Sequence, residues 1–129
     1  MKIRTVFCVL LFAISAGAQP PAARTIDFTR VLHGIDGKPI LDKDPLSGTP
    51  VQITLGDVAV NALYAQTPQD QNLSGVDKFK LAQLAVKIYK NKAAVLTADQ
   101  IATIKDRIGK VYGALVVGES WKLLDPGEN

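Results

Sequence analysis

Apolar and polar positions change rhythm twice along this chain. Residues Val6–Ile14 form an unbroken apolar run behind Lys2 and Arg4. Alternation of period two follows in Thr25-Ile26-Asp27-Phe28-Thr29, the pattern of a half-buried strand. In Val31–Leu41 an Asp36-Gly37 pair stands between apolar flanks and predicts a tight hairpin turn. Pro39 confines the returning arm to a sheet edge, because it has no N–H to donate. Residues Asp42–Pro50 read as a loop, and Val51-Gln52-Ile53 as one more short strand.

From Thr54 onward the apolar spacing becomes helical. Three hydroxyl residues mark helix starts: Thr54 before Asp57, Ser74 before Asp77 and Thr97 before Gln100. Each combines an N-cap oxygen with an acceptor three residues on; Thr97 with Gln100 is a full capping box, and the two aspartates make shorter-armed versions of it. Ile53 with Val58 and Leu96 with Ile101 have the spacing of hydrophobic staples. The first helix is expected to run to about Gln66, ahead of the polar loop Thr67–Asn72. The second should span Gly75 to about Asn91. Its apolar residues, Phe79, Leu84, Val86, Ile88 and Tyr89 among them, cover more than half of the circumference. Such a helix belongs in the centre of the fold or at a subunit contact. A third helix places Ile101, Ile104, Ile108, Val111 and Tyr112 on one face, with Lys105, Asp106, Arg107 and Lys110 opposite or at its edge. Gly113 breaks the chain. A fourth helix carries Ala114, Val117, Trp121 and Leu124 as its stripe and ends before Pro126-Gly127, with a strand at Leu115–Val117 as the alternative. The expected fold is a small single α+β domain, an N-terminal β-hairpin followed by a bundle of about four short helices.

The first apolar run changes the picture of where this domain works. A basic start, an apolar block and Ala16-Gly17-Ala18 make the three-part layout of a secretory signal, cleaved after Ala18. The block is too short to cross a bilayer, so no stable membrane anchor is expected. The organisation is then a signal peptide at 1–18, a linker at 19–24 and one domain at 25–125. Export to the periplasm or the extracellular space follows if the leader is genuine. A cytoplasmic or virion-associated protein follows if the start is placed too far upstream. A buried N-terminal helix is the structural alternative. Cleavage removes Lys2 and Arg4 and lowers the formal charge of +3 by two; Cys8, the only cysteine, leaves with them. A nearly neutral, thiol-free domain gives little field for nucleic acid and no thiol nucleophile.

The remaining chemistry is sparse. His33 is the only histidine, so a His/Cys zinc site or a histidine-based triad has almost nothing to draw on. Residues 34–39 (GIDGKP) lack both the glycine spacing and the hydroxyl of a phosphate loop. Asp42-Lys43-Asp44 opens like a calcium loop, but Leu46 stands at the next ligand position. The lysines at 78, 80, 87, 90 and 92 come without an aromatic ladder for stacking bases and read as a solvated helix face. No catalytic residue, cofactor or metal site is assigned, and the protein is expected not to be an enzyme.

The order of several segments resembles small uncharacterised proteins of tailed phages and prophages. The resemblance is carried by Ile26-Asp27-Phe28, 36–39 (DGKP), 54–63 (TLGDVAVNAL), Leu73-Ser74-Gly75, Lys87-Ile88-Tyr89 and 112–118 (YGALVVG) with Trp121 and Leu124. It covers about Thr25 to Leu124 and brings no catalytic residues. Such proteins begin near the position of Thr25, so the leader is a departure from their pattern. The resemblance and the missing motifs together imply a protein-interaction or assembly module, with a protein partner or self-association. Phe79, Val86, Tyr89 and Trp121 form its candidate interaction surface. The alternative is a binder of a small, anionic ligand at the hairpin and the helix N-termini, whose free N–H groups attract negative charge.

Overall fold

A computed structural model describes residues 23–127. The predicted signal peptide and most of the linker lie outside the described residues. The chain forms β1 (Arg24–Asp27), β2 (Leu41–Lys43), β3 (Pro50–Gln52), α1 (Leu55–Tyr64), α2 (Gly75–Lys90), β4 (Ala93–Leu96), α3 (Ala98–Val111) and α4 (Ala114–Leu124). A 3₁₀ turn at Pro68–Asn72 links α1 to α2. Helices outweigh two small antiparallel sheets, so the fold is α+β.

The helix starts are where the hydroxyl residues place them. Thr54 accepts from the Asp57 N–H while Asp57 accepts from the Thr54 N–H, and Thr97 with Gln100 repeats the exchange. Ser74 accepts from the Asp77 N–H. Each bond satisfies a helix-end donor that would otherwise have no partner in the chain. Leu115–Val117 is helical, not a strand.

The N-terminal hairpin differs from the expectation. The Asp36-Gly37 turn does form, with Gly37 at φ +76°, a conformation that carries no steric penalty only for glycine. Its arms, however, are held by a single bridge between His33 and Pro39 and do not become strands. Regular pairing begins later, between Leu41–Lys43 and Pro50–Gln52: β2 falls mostly within the stretch expected to be loop, and β3 overlaps the short strand expected at Val51–Ile53. The Asp44 carboxylate turns that pair by accepting from the N–H groups of Leu46 and Ser47.

Nor does β1 pair with its sequence neighbours. It pairs antiparallel with β4, Arg24 opposite Leu96 and Asp27 opposite Ala93, tying the first strand to the segment between α2 and α3. Along β4, Ala94 and Leu96 are buried while Ala93 and Val95 are exposed. The chain then enters α1 at a close approach: the Gly56 N–H donates to the Phe28 carbonyl, and a Cβ at Gly56 would stand 3.0 Å from that oxygen.

Helix α1 is the centre of the body, with α2, α3 and α4 all packed on it. Leu55, Val58, Ala59, Ala62 and Leu63 of α1 are buried, and meet Leu84, Ala85 and Ile88 of α2 and Ile101, Ile104 and Ile108 of α3 in one core. The buried stripe of α4 runs through Ser120 and Leu124, so Ala114 and Trp121 fall outside it.

Candidate interaction surface

Helix α2 is positioned by its inner face. Leu84, Ala85 and Ile88 are buried and Leu81 is half-buried, and these residues seat the helix mainly on α1. At its C-terminal end Asn91 donates through both its backbone N–H and its side-chain amide to the Lys87 carbonyl. The Lys87 ammonium in turn donates to the Val95 carbonyl of β4 at 2.6 Å. The helix is therefore fixed from Leu81 onward, while only a narrow strip of it is consumed by the core.

Its remaining apolar residues face outward. Tyr89 is 82% exposed, Val76 65%, Phe79 61% and Val86 40%. Helical spacing puts Val76, Phe79 and Val86 in a row, with Tyr89 along one side. The two places predicted for this helix were the centre of the fold and a subunit contact; the fold itself buries only the inner strip. Leaving several large apolar side chains in one row in water is costly and uncommon on a surface with no partner.

Trp121 does not join that row. It sits on α4 against α3, where its indole N–H donates to the Lys105 carbonyl at 3.2 Å. The Lys105 ammonium lies 4.7 Å from the ring centroid, a cation–π contact. This corner is lined by Arg24, Ala98, Gly109 and Asp125, on the opposite flank of α3 from α2. Three of the four candidate residues thus share a surface, and Val76 completes it.

Charge divides the molecule in the same way. On α3 and α4 the cations are paired: Lys105 with Asp125, Arg107 with Asp70, Lys110 with Asp106 and Lys122 with Glu119. Among the described residues, Lys78, Lys80, Lys90 and Lys92 have no carboxylate within ion-pair distance, and all four are exposed.

Arg107 overturns its expected place on the polar edge of α3. It is buried, and its guanidinium donates to the carbonyls of Ala62 and Ala65 and to both carboxylate oxygens of Asp70. Arg107, helped by the Thr67 backbone N–H, holds the Asp70 carboxyl well below the usual carboxylate range. The spacing carried a signal for this: Arg107 is three residues after Ile104 and adjacent to Ile108, inside the buried stripe. A groove of about 540 Å³ passes over this pair, between the end of α1 and the start of α2, lined also by Leu63, Leu73, Lys78 and Leu81. Its guanidinium is already occupied by protein acceptors and offers no free charge to a ligand.

The capped helix starts are likewise filled. Asp57, Asp77 and Asp99 stand in the first turns of α1, α2 and α3, so an anion arriving there meets a carboxylate. His33 is exposed beside the Gly37 turn, and Asp44 spends its carboxylate on the backbone of its own turn. Among the described residues no group of three or more His, Cys, Asp or Glu side chains converges to hold a metal ion. No helix among them is long and apolar enough to cross a membrane. No family model matches the chain, and no curated protein or solved structure matches it either.

Proposed function

We propose that this chain is an exported, non-enzymatic protein-interaction module of the phage or prophage type, and that it binds through the outer face of α2. The observation that supports this reading is the row Val76, Phe79 and Val86 with Tyr89 beside it, exposed on a helix whose inner face already completes the core. Apolar side chains in such a row gain free energy by leaving water, and among the described residues they stay exposed. The small-anion alternative has less support, because the three capped helix starts are occupied by their own side chains and carry acidic residues.

Photo-crosslinking in the native cell tests the proposal. A benzoylphenylalanine at position 79 should give an adduct of defined mass, while the same group at exposed Lys122 should not. Equal yields at the two positions, or none at either, would remove the interaction reading.

A further inference from the structure

We propose that the occupant of the α2 face is an acidic amphipathic helix of another protein, with carboxylates flanking its apolar stripe. This rests on the reading of α2 as the binding face and names the chemistry of the partner. Three observations converge on it.

The first is periodicity. Val76, Phe79, Gln83, Val86 and Lys90 recur at alternating spacings of three and four, and all are exposed. That is the seam by which one helix receives the side chains of another. The second is charge. In helical projection Lys80 and Lys87 lie along one side of the seam, Lys78 lies along the other, and Lys90 falls within it. Lys78, Lys80 and Lys90 lack a carboxylate partner among the described residues, whereas the cations of α3 and α4 have theirs. A partner with glutamate or aspartate beside its apolar stripe would neutralise them and be steered to the site by their field.

The third observation separates the possible occupants. A second copy of the chain, paired antiparallel about Gln83, would set Lys80 of each copy against Lys87 of the other, and like charges at a seam select against self-pairing. A bilayer would have to take up Gln83 and Lys90 together with the apolar residues, since both stand inside the strip. Burying those groups in hydrocarbon without partners is costly. A helix can answer both, with an amide or carboxylate facing each.

The test uses the native product and three synthetic probes. One is an amphipathic helical peptide with leucines at seam spacing flanked by glutamate; the second is the same peptide with lysine in place of glutamate. The third is a phosphatidylserine vesicle. The glutamate peptide should bind, with an affinity at least about tenfold above the lysine peptide and falling as salt rises. Phe79→Ser should weaken it about tenfold, and Lys80→Glu with Lys90→Glu should reverse the preference between the peptides. Equal binding of both peptides, binding of neither, or preference for the vesicle would overturn the acidic-helix assignment. So would a position-79 adduct with a second copy of the chain, which would leave the interaction reading standing. Loss of the position-79 adduct altogether would remove that reading itself.

Discussion

Helices α2 and α3 lie against the same partner, α1, yet spend their side chains differently. Helix α3 buries Ile101, Ile104 and Ile108 together with Arg107, and its other cations are matched within the fold. Helix α2 buries three residues of sixteen and leaves its largest apolar side chains exposed, and among the described residues most of its lysines have no carboxylate partner. A helix satisfied in both hydrophobic and electrostatic terms is a structural element and little else. One left over in both terms has capacity that the fold does not use. On the proposed reading α2 carries the recognition and α3 the stability, and each half of that statement can be broken separately.

The largest effect is expected on α3. Arg107→Met removes bonds to the carbonyls of Ala62 in α1 and Ala65 just after it and to Asp70, and leaves those acceptors facing an apolar chain. Breaking a buried charged network from one side costs about 3 kcal/mol or more. Urea denaturation should show that loss. A change below about 1 kcal/mol would mean that the staple between α1 and α3 contributes little.

The same pair sets a dependence on acid. The Asp70 carboxyl is held below its ordinary value of 3.8, first by the Arg107 side chain and next by the Thr67 backbone N–H. A depressed folded value adds stability that is fully present above the unfolded value and is lost as pH falls through the folded one. The urea midpoint should therefore drop steadily below about pH 4, and drop less steeply in Arg107→Met. Asp125, held down chiefly by Arg24, leaves a residual slope in both proteins. Parallel profiles in the two would place the acid sensitivity elsewhere than Asp70.

How much of this was legible in the sequence depends on how local each cause is. The starts of α1, α2 and α3 were readable because a cap is written within four residues: Thr54 to Asp57, Ser74 to Asp77 and Thr97 to Gln100. The Gly37 turn was readable for the same reason. Strand β4 was not, since Ala93–Leu96 takes its form from a partner about seventy residues earlier in the chain. Its four residues are all apolar, so the alternation of exposed and buried positions leaves no mark on the sequence. Arg107 was misplaced because its partner, Asp70, sits in a turn whose composition says only that it is polar. The candidate surface was half legible. The excess of apolar residues on α2 pointed to Phe79, Val86 and Tyr89, but helical periodicity alone says nothing of which neighbours Trp121 finds. It finds Lys105, and leaves the ridge to α2.

The smallest effect is expected where the proposed function lies. Phe79→Ser with Tyr89→Ser removes two aromatic rings that are 61% and 82% exposed. Serine has nearly the helix propensity of phenylalanine and tyrosine, so the backbone has little reason to fray. The core strip of Leu84, Ala85 and Ile88 is untouched, and the Lys87 contact to β4 does not involve either ring. Urea denaturation should move by no more than about 0.5 kcal/mol, as for exposed positions generally. The double variant should also become more soluble, because an apolar row facing water is where molecules associate without specificity. A loss above about 2 kcal/mol would mean that the ridge packs within the fold in solution, and α2 would then be as fully spent as α3.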